Sequence, residues 1–317
     1  MRISREKLAS EAQATGFRPE VLEKVIHLLN LLEGFQSHPF LKDRLALKGG
    51  TALNLFLFDI PRLSVDIDLN YVAAPDRETM LEERPKVEQA VQAVCSREDM
   101  NITRVPTDHA GGKWRLRYDS NMGEGGNLEV DLNFMFRVPL WPVQKMNARV
   151  GSYSASRIPV LDLHELAAGK LAALMARHAS RDLFDAHRLL MQTELDQEKL
   201  RLGFVLFGAM NRKDWRAIGI DDVGYDVNEL KNQLTPVVRS DVLDQMKAEN
   251  WAEQMVRECR EKLGTVLPLV EAEREFLEQI LDQGEIKPGL LTTDEAMCQR
   301  IESHPLLQWK AQCFAPG

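Results

Sequence analysis

Two aspartates stand two residues apart in the run Ser64-Val65-Asp66-Ile67-Asp68-Leu69. The apolar/polar alternation from Leu63 to Asn70 has the period of a half-buried strand. Side chains two apart on a strand share a face, so Asp66 and Asp68 project together while Val65, Ile67 and Leu69 turn to the core. Aspartate is depleted in strands, and such a pair suits a cation site; taken alone, it suits a solvent-exposed sheet face as well. Upstream, Lys48-Gly49-Gly50-Thr51 opens a helical stretch. Glycines there let a phosphate approach unpaired amides at the positive end of the helix dipole, and an ordinary tight turn uses the same residues. Neither a P-loop nor a G-x-G-x-x-G fingerprint is present. Downstream, Glu129-Val130-Asp131-Leu132-Asn133 alternates in the same way. On a neighbouring strand, Asp131 or Glu129 would stand beside Asp66 and Asp68, and three such carboxylates repel one another unless a cation neutralises them. Mg²⁺ meets that need, being oxygen-liganded and usually held by one or two carboxylates plus substrate phosphates. Ions so held stabilise in-line displacement at phosphorus.

A further set of charges lies in Lys170-x₆-Arg177-x₃-Arg181-Asp182-x₂-Asp185. On one continuous helix, Lys170, Arg177, Arg181 and Asp185 fall within a sector of about 80°, and Asp182 points elsewhere. A solvated face with i, i+4 pairing is the simplest reading of these residues alone. Ser64 precedes Asp66 by two, so strand geometry puts its hydroxyl with the carboxylates. There it is either a modifiable control point or a small residue that leaves room for substrate. His164, His178 and His187 lack metal-pair spacing and read as packing or surface residues. Trp114 reads as core.

The elements that must position these groups follow from periodicity. Val21, Leu22, Val25, Ile26, Leu29 and Leu32 mark an N-terminal helix. Leu45–Leu47 is a short strand, 51–58 a helix ended by Asp59-Ile60-Pro61, and 82–95 a further helix. Strands are expected near 102–105, 113–118 and 127–136, with turns at Gly111-Gly112 and Gly123-Glu124-Gly125-Gly126. One long helix is expected over 163–191, with Asp162 and Glu165 as a capping-box variant. Helical patterns dominate from there to the end.

In combination, Lys48-Gly49-Gly50, Val65-Asp66-Ile67-Asp68-Leu69 and Val130-Asp131-Leu132 resemble the DNA polymerase β-like nucleotidyltransferase superfamily. Lys48 departs from its hydrophobic position, and the 15 residues between Gly50 and Asp66 exceed its usual spacer. The string from Lys48 to Leu69, together with Ile158–Asp162 and the Lys170–Asp185 region, resembles the AbiEii/AbiGii toxin family. That resemblance implies an α+β fold with a polymerase β-like core and mixed sheet over 1–155, followed by a mainly helical domain over 156–317. It implies a nucleotidyltransferase toxin of a bacterial toxin–antitoxin or phage-defence system, using Mg²⁺ and an NTP, with tRNA as acceptor and an antitoxin as partner. Asp66, Asp68 and Asp131 would be the metal and catalytic carboxylates, completed by Lys170 and Asp185. Lys48, Gly49, Gly50, Thr51, Ser64, Arg177 and Arg181 would contact the nucleotide. A transferase acting on a small molecule or protein side chain, and a non-enzymatic binding protein on the same fold, are the rival readings.

Composition is compatible with all three. The 317 residues are 44% hydrophobic and 28% charged, with a net charge of −8. Beyond residue 190 stand 15 Lys/Arg and 23 Asp/Glu, so the acidity is confined to the C-terminal third. That excludes a uniformly basic nucleic-acid wrapper, whereas residues 140–190, with 7 bases and 4 acids, leave room for a local phosphate site. Four scattered cysteines without a C-x-x-C pair argue against a zinc site or a disulfide scaffold. With no apolar run of membrane-spanning length and no secretory leader, a soluble cytoplasmic protein is expected.

Overall fold

Helix α1 (Arg5–Thr15) starts on Ser4, whose hydroxyl accepts from the Lys7 amide at 3.2 Å, and stops at Gly16 in the left-handed region. Helix α2 (Pro19–Ser37) follows and buries Leu22, Val25, Ile26, Leu29 and Leu32, the apolar face that the spacing predicts. The structure is a computed structural model that describes residues 3–106, 110–123, 125–247 and 250–314; Glu124 of the expected turn lies outside them.

The chain then lays down β1 (Leu45–Lys48), the single turn α3 (Gly49–Thr51), a π-helical turn over Ala52–Leu57, and β2 (Asp66–Tyr71). Helix α4 (Arg77–Arg97) leads to β3 (Asn101–Arg104), β4 (Gly111–Tyr118), β5 (Gly126–Asn133), β6 (Gln144–Val150) and β7 (Tyr153–Val160). These seven strands form one mixed sheet in the order β3-β4-β5-β2-β1-β7-β6, with β2 at its centre. β2 runs parallel to β5 and antiparallel to β1, and β1 runs parallel to β7. The fold is α+β.

One face of the sheet makes the core. Ile67, Leu69 and Tyr71 of β2, Val130 and Leu132 of β5, and Trp114 of β4 are all buried on it. Each such side chain contributes about 1.5–3 kcal/mol of transfer free energy. Helix α2 packs against β5, β7 and α4. The alternation that buries these residues turns the intervening polar ones to the opposite face.

Three features differ from the sequence expectation. The predicted 102–105, 113–118 and 127–136 strands are present with shifted ends, but the hairpin of β6 and β7 is not among the expected elements. Its inward residues include the small Ala148 and Ala155, too weakly apolar to announce a strand. The predicted 163–191 helix is two helices, α5 (Leu163–Arg177) and α6 (Ser180–Gln192), separated by His178 at φ 55° and an extended Ala179. Asp162 caps α5 through the His164 amide at 2.8 Å, whereas Glu165 accepts instead from the Leu140 amide at 3.0 Å.

The chain forms two compact units. The first holds the sheet: residues up to Arg137, Val143–Leu161 and Thr235–Gln245. The second is helical: Val138–Pro142, Asp162–Leu234 and Met246 onward, including α5, α6 and α7 (Gln197–Ala209). Within the first unit, Thr235–Gln245 straps the loop that enters β2. The Leu63 amide donates to the Val237 carbonyl at 2.8 Å, the Arg239 amide to the Pro61 carbonyl at 3.0 Å, and the Arg239 guanidinium to the Asp59 carbonyl at 2.7 Å. Among the described residues, no helix is long and apolar enough to cross a membrane.

Candidate active site

Strand pairing builds the first cluster. Asp66 lies opposite Glu129 and Asp68 opposite Asp131 on the parallel neighbour β5. Paired residues share a face, so four carboxylates occupy two adjacent rows on the half-open side of the sheet. The antiparallel partners extend each row with bases. Lys48 of β1 faces Asp68, Lys113 of β4 faces Asp131, and Arg115 of β4 faces Glu129. Glu129 accepts from Lys113 at 2.9 Å and from Arg115 at 3.1 Å. The hydrogen bond from Lys113 holds the Glu129 carboxyl below its ordinary range, and the same bond raises the Lys113 ammonium, helped by the charges of Glu129, Asp66 and Asp131. Both groups therefore stay ionised at neutral pH.

The Gly-Gly turn meets this cluster directly. Gly49 sits at φ +71°, and a Cβ there would lie 2.3 Å from Asp68 Oδ2. Glycine is thus required twice, by the left-handed backbone and by the approach of the carboxylate. Thr51 is fully buried and donates its hydroxyl to the Asp66 carbonyl at 2.5 Å, so its side chain fixes β2 rather than facing a ligand. Gly50 accepts from the Asn54 side-chain amide at 3.0 Å. The Lys48 ammonium lies 5.0 Å from the centre of the Phe136 ring. Ser64 is half-buried in the stretch before β2, outside the strand, so the strand-face argument does not extend to it.

A second cluster forms within the helical unit. Lys170 of α5 reaches Asp182 at 2.8 Å and Asp185 at 3.0 Å, both on α6. The lysine is 9% exposed and the two aspartates 2% and 0%, so this is a buried ion cluster. Arg177 adds a contact to Asp182 at 2.6 Å from an exposed position. Burial alone would raise the Asp182 carboxyl, but the Lys170 and Arg177 charges and their hydrogen bonds outweigh it and hold Asp182 well below the carboxylate range. Asp182, which a single continuous helix would point away, is therefore a principal partner of Lys170. The turn at His178 reverses the geometry: it brings α6 back so that Asp182 and Asp185 both face the lysine. Arg181 is held by Glu229 at 3.1 Å, which also accepts from the Ser180 amide at 2.9 Å and anchors the start of α6.

His164 pairs with Asp162 and His187 with Glu258, in keeping with packing roles. Trp114 is core at 1% exposure. Among the described residues, no three His, Cys, Asp or Glu side chains form a ready cage for a metal ion.

Over residues 30–281 the chain matches the family model of the nucleotidyl transferase AbiEii toxin, type IV TA system. Among solved structures it is similar to MenT4, a nucleotidyltransferase toxin from Mycobacterium tuberculosis H37Rv, at 20% identity and a TM-score of 0.60, with 99% of this chain and 100% of that one covered. At that identity the likeness is one of fold. No curated protein sequence matches it.

Proposed function

The chain belongs to the AbiEii family of nucleotidyltransferase toxins from type IV toxin–antitoxin systems, and from that premise we propose that it transfers NMP from a Mg²⁺-bound NTP to tRNA. An NTP substrate and a cognate antitoxin follow from the family; the metal and the tRNA acceptor are our reading. The observation that carries it is the register of Asp66 and Asp68 against Glu129 and Asp131, with Gly49 pressed on Asp68.

The donor set fits a hard cation. Asp66, Asp68 and Asp131 offer only oxygen, and two residues beyond Asp68 on the same face Asn70 is buried with its Oδ1 unpaired. A set of two or three carboxylates left open to substrate phosphates is the arrangement Mg²⁺ prefers. Once bound, the ion supplies charge neutralisation at the reacting phosphate.

The chain's own groups do the rest. Asp66 and Asp68 hold the metal, and the backbone at Gly49-Gly50 receives phosphate oxygens. Within the helical unit, Lys170, the exposed Arg177 and the half-buried Arg181 offer cations to phosphate, while Asp182 and Asp185 fix the Lys170 ammonium. Asp131 accepts the proton of the acceptor hydroxyl as its oxygen bonds to the α-phosphorus. The bond to the β-phosphate then breaks and pyrophosphate leaves. Most of the rate comes from positioning and charge stabilisation.

Incubation with Mg²⁺, each α-labelled NTP and total tRNA should label the RNA and release pyrophosphate. Asp66→Asn and Asp68→Asn should lose at least about 10²-fold in rate at unchanged expression, the scale of removing one preorganised electrostatic group. Label on a small molecule or on protein, with none on RNA, would replace the acceptor assignment.

A further inference from the structure

We infer that the outward face of β4 and β3 is the seat of the acceptor strand: a track of cations that grips the phosphodiester backbone of an RNA whose hydroxyl end reaches Asp66, Asp68 and Asp131. The inference rests on the transferase reading above and adds the surface that holds the acceptor.

The track is a product of strand alternation. Trp114, Leu116 and Tyr118 fill the core, so Lys113, Arg115 and Arg117 all point outward and are exposed. On β3, Arg104 pairs in register with Arg115 and is also exposed. Neither strand contains an Asp or Glu. In a chain of net charge −8, four bases and no acid on two adjacent strands are a local excess. Glu129 of the neighbouring β5 is shared between Lys113 and Arg115, so one carboxylate orients two cations and leaves positive charge over. Their side chains remain 54% and 57% exposed.

Position and spacing match the ligand. Alternate side chains on a strand are about 6.8 Å apart, a distance comparable to one nucleotide step of an extended backbone. Arginine forks engage phosphate oxygens bidentately. The rows connect this track to the carboxylates, because Lys113 faces Asp131 and Arg115 faces Glu129, which faces Asp66. β3 is the last strand of the sheet, so a long strand can leave over its edge. By contrast, Arg149 and Arg157, two of the 7 bases of the segment 140–190, lie on β6 and β7 at the other end of the sheet.

The test measures binding of total tRNA across a salt series for the wild type, Arg115→Gln/Arg117→Gln and Arg149→Gln, with transfer kinetics alongside. The double variant should bind at least about tenfold more weakly, and the slope of log K against log salt should fall by about 1.4, at roughly 0.7 per lost single-strand phosphate contact. Its KM for tRNA should rise while its KM for NTP holds. Arg149→Gln should change binding by less than about twofold, as a neutralised base away from the track. An unchanged slope, or an equal loss in Arg149→Gln, overturns the track. Transfer to RNA with intact kinetics in the double variant overturns it while leaving the transferase reading in place. If the wild type transfers nothing, that reading fails, and the binding series still decides the surface.

Discussion

Lys170, Asp182 and Asp185 show how buried charges depend on one another. Removing one partner of a buried ion cluster leaves the other charge uncompensated, at a cost of about 3–5 kcal/mol. Asp182→Asn should therefore lower stability on that scale and raise the KM for NTP, because Lys170 loses the restraint that Asp182 supplies. Arg177→Gln, at an exposed position, should cost less than about 1 kcal/mol. Urea titrations of the two variants separate these outcomes. The cluster also sets a pH dependence. The folded Asp182 carboxyl lies below its unfolded value, so its contribution is fully present above about pH 4 and is lost as pH falls through the folded value. The acid limb of the stability curve should be shallower in Asp182→Asn. At this scale the sequence was only partly legible. Asp66, Asp68, Asp131 and Gly49 follow from alternation and glycine chemistry. Asp182 does not, because its role depends on a turn that changes its direction.

Elements show the same division. Strands rich in large apolar residues, β2, β4 and β5, were readable from alternation because burial is what the pattern records. The β6–β7 hairpin was not, since alanines on its inward face carry little signal. The break after α5 was hidden as well: no Gly or Pro marks it, and the left-handed His178 is supported from a distance by Asp226, whose carbonyl accepts from Ser180, and by Glu229. Gly49 is the element-scale test. Alanine there meets a left-handed backbone penalty of about 1–2 kcal/mol and drives its Cβ into Asp68. Gly49→Ala should thus lose activity by about 10²-fold or more, as expected when a mutation misplaces a reacting group. Gly264→Ala, with nothing within 4 Å of the new Cβ, should keep both activity and melting temperature. Parallel assay of the two checks that geometry, and not glycine loss as such, is responsible.

For the whole molecule, thiol chemistry reports on which parts are closed. Burial pushes the Cys95 and Cys259 thiols up to about 12, whereas Cys313 is exposed and Cys298 partly so. Brief alkylation should modify Cys313 first and Cys298 next, leaving Cys95 and Cys259 intact until denaturant is added, as peptide masses would show; early labelling of Cys95 would contradict the packing of α4. Connectivity carries a different consequence. Because the strap at Thr235–Gln245 belongs to the sheet unit and ties down the loop ahead of Asp66, that unit cannot be finished until Gln245 has been synthesised. Domains otherwise fold in order as they leave the ribosome. A message broken before codon 235 should therefore yield a harmless fragment: products ending at residue 234 should be protease-sensitive and inactive although every aspartate of the sheet is present. Poisoning then requires translation to run through the strap, so an interruption anywhere ahead of it spares the cell that encodes the toxin.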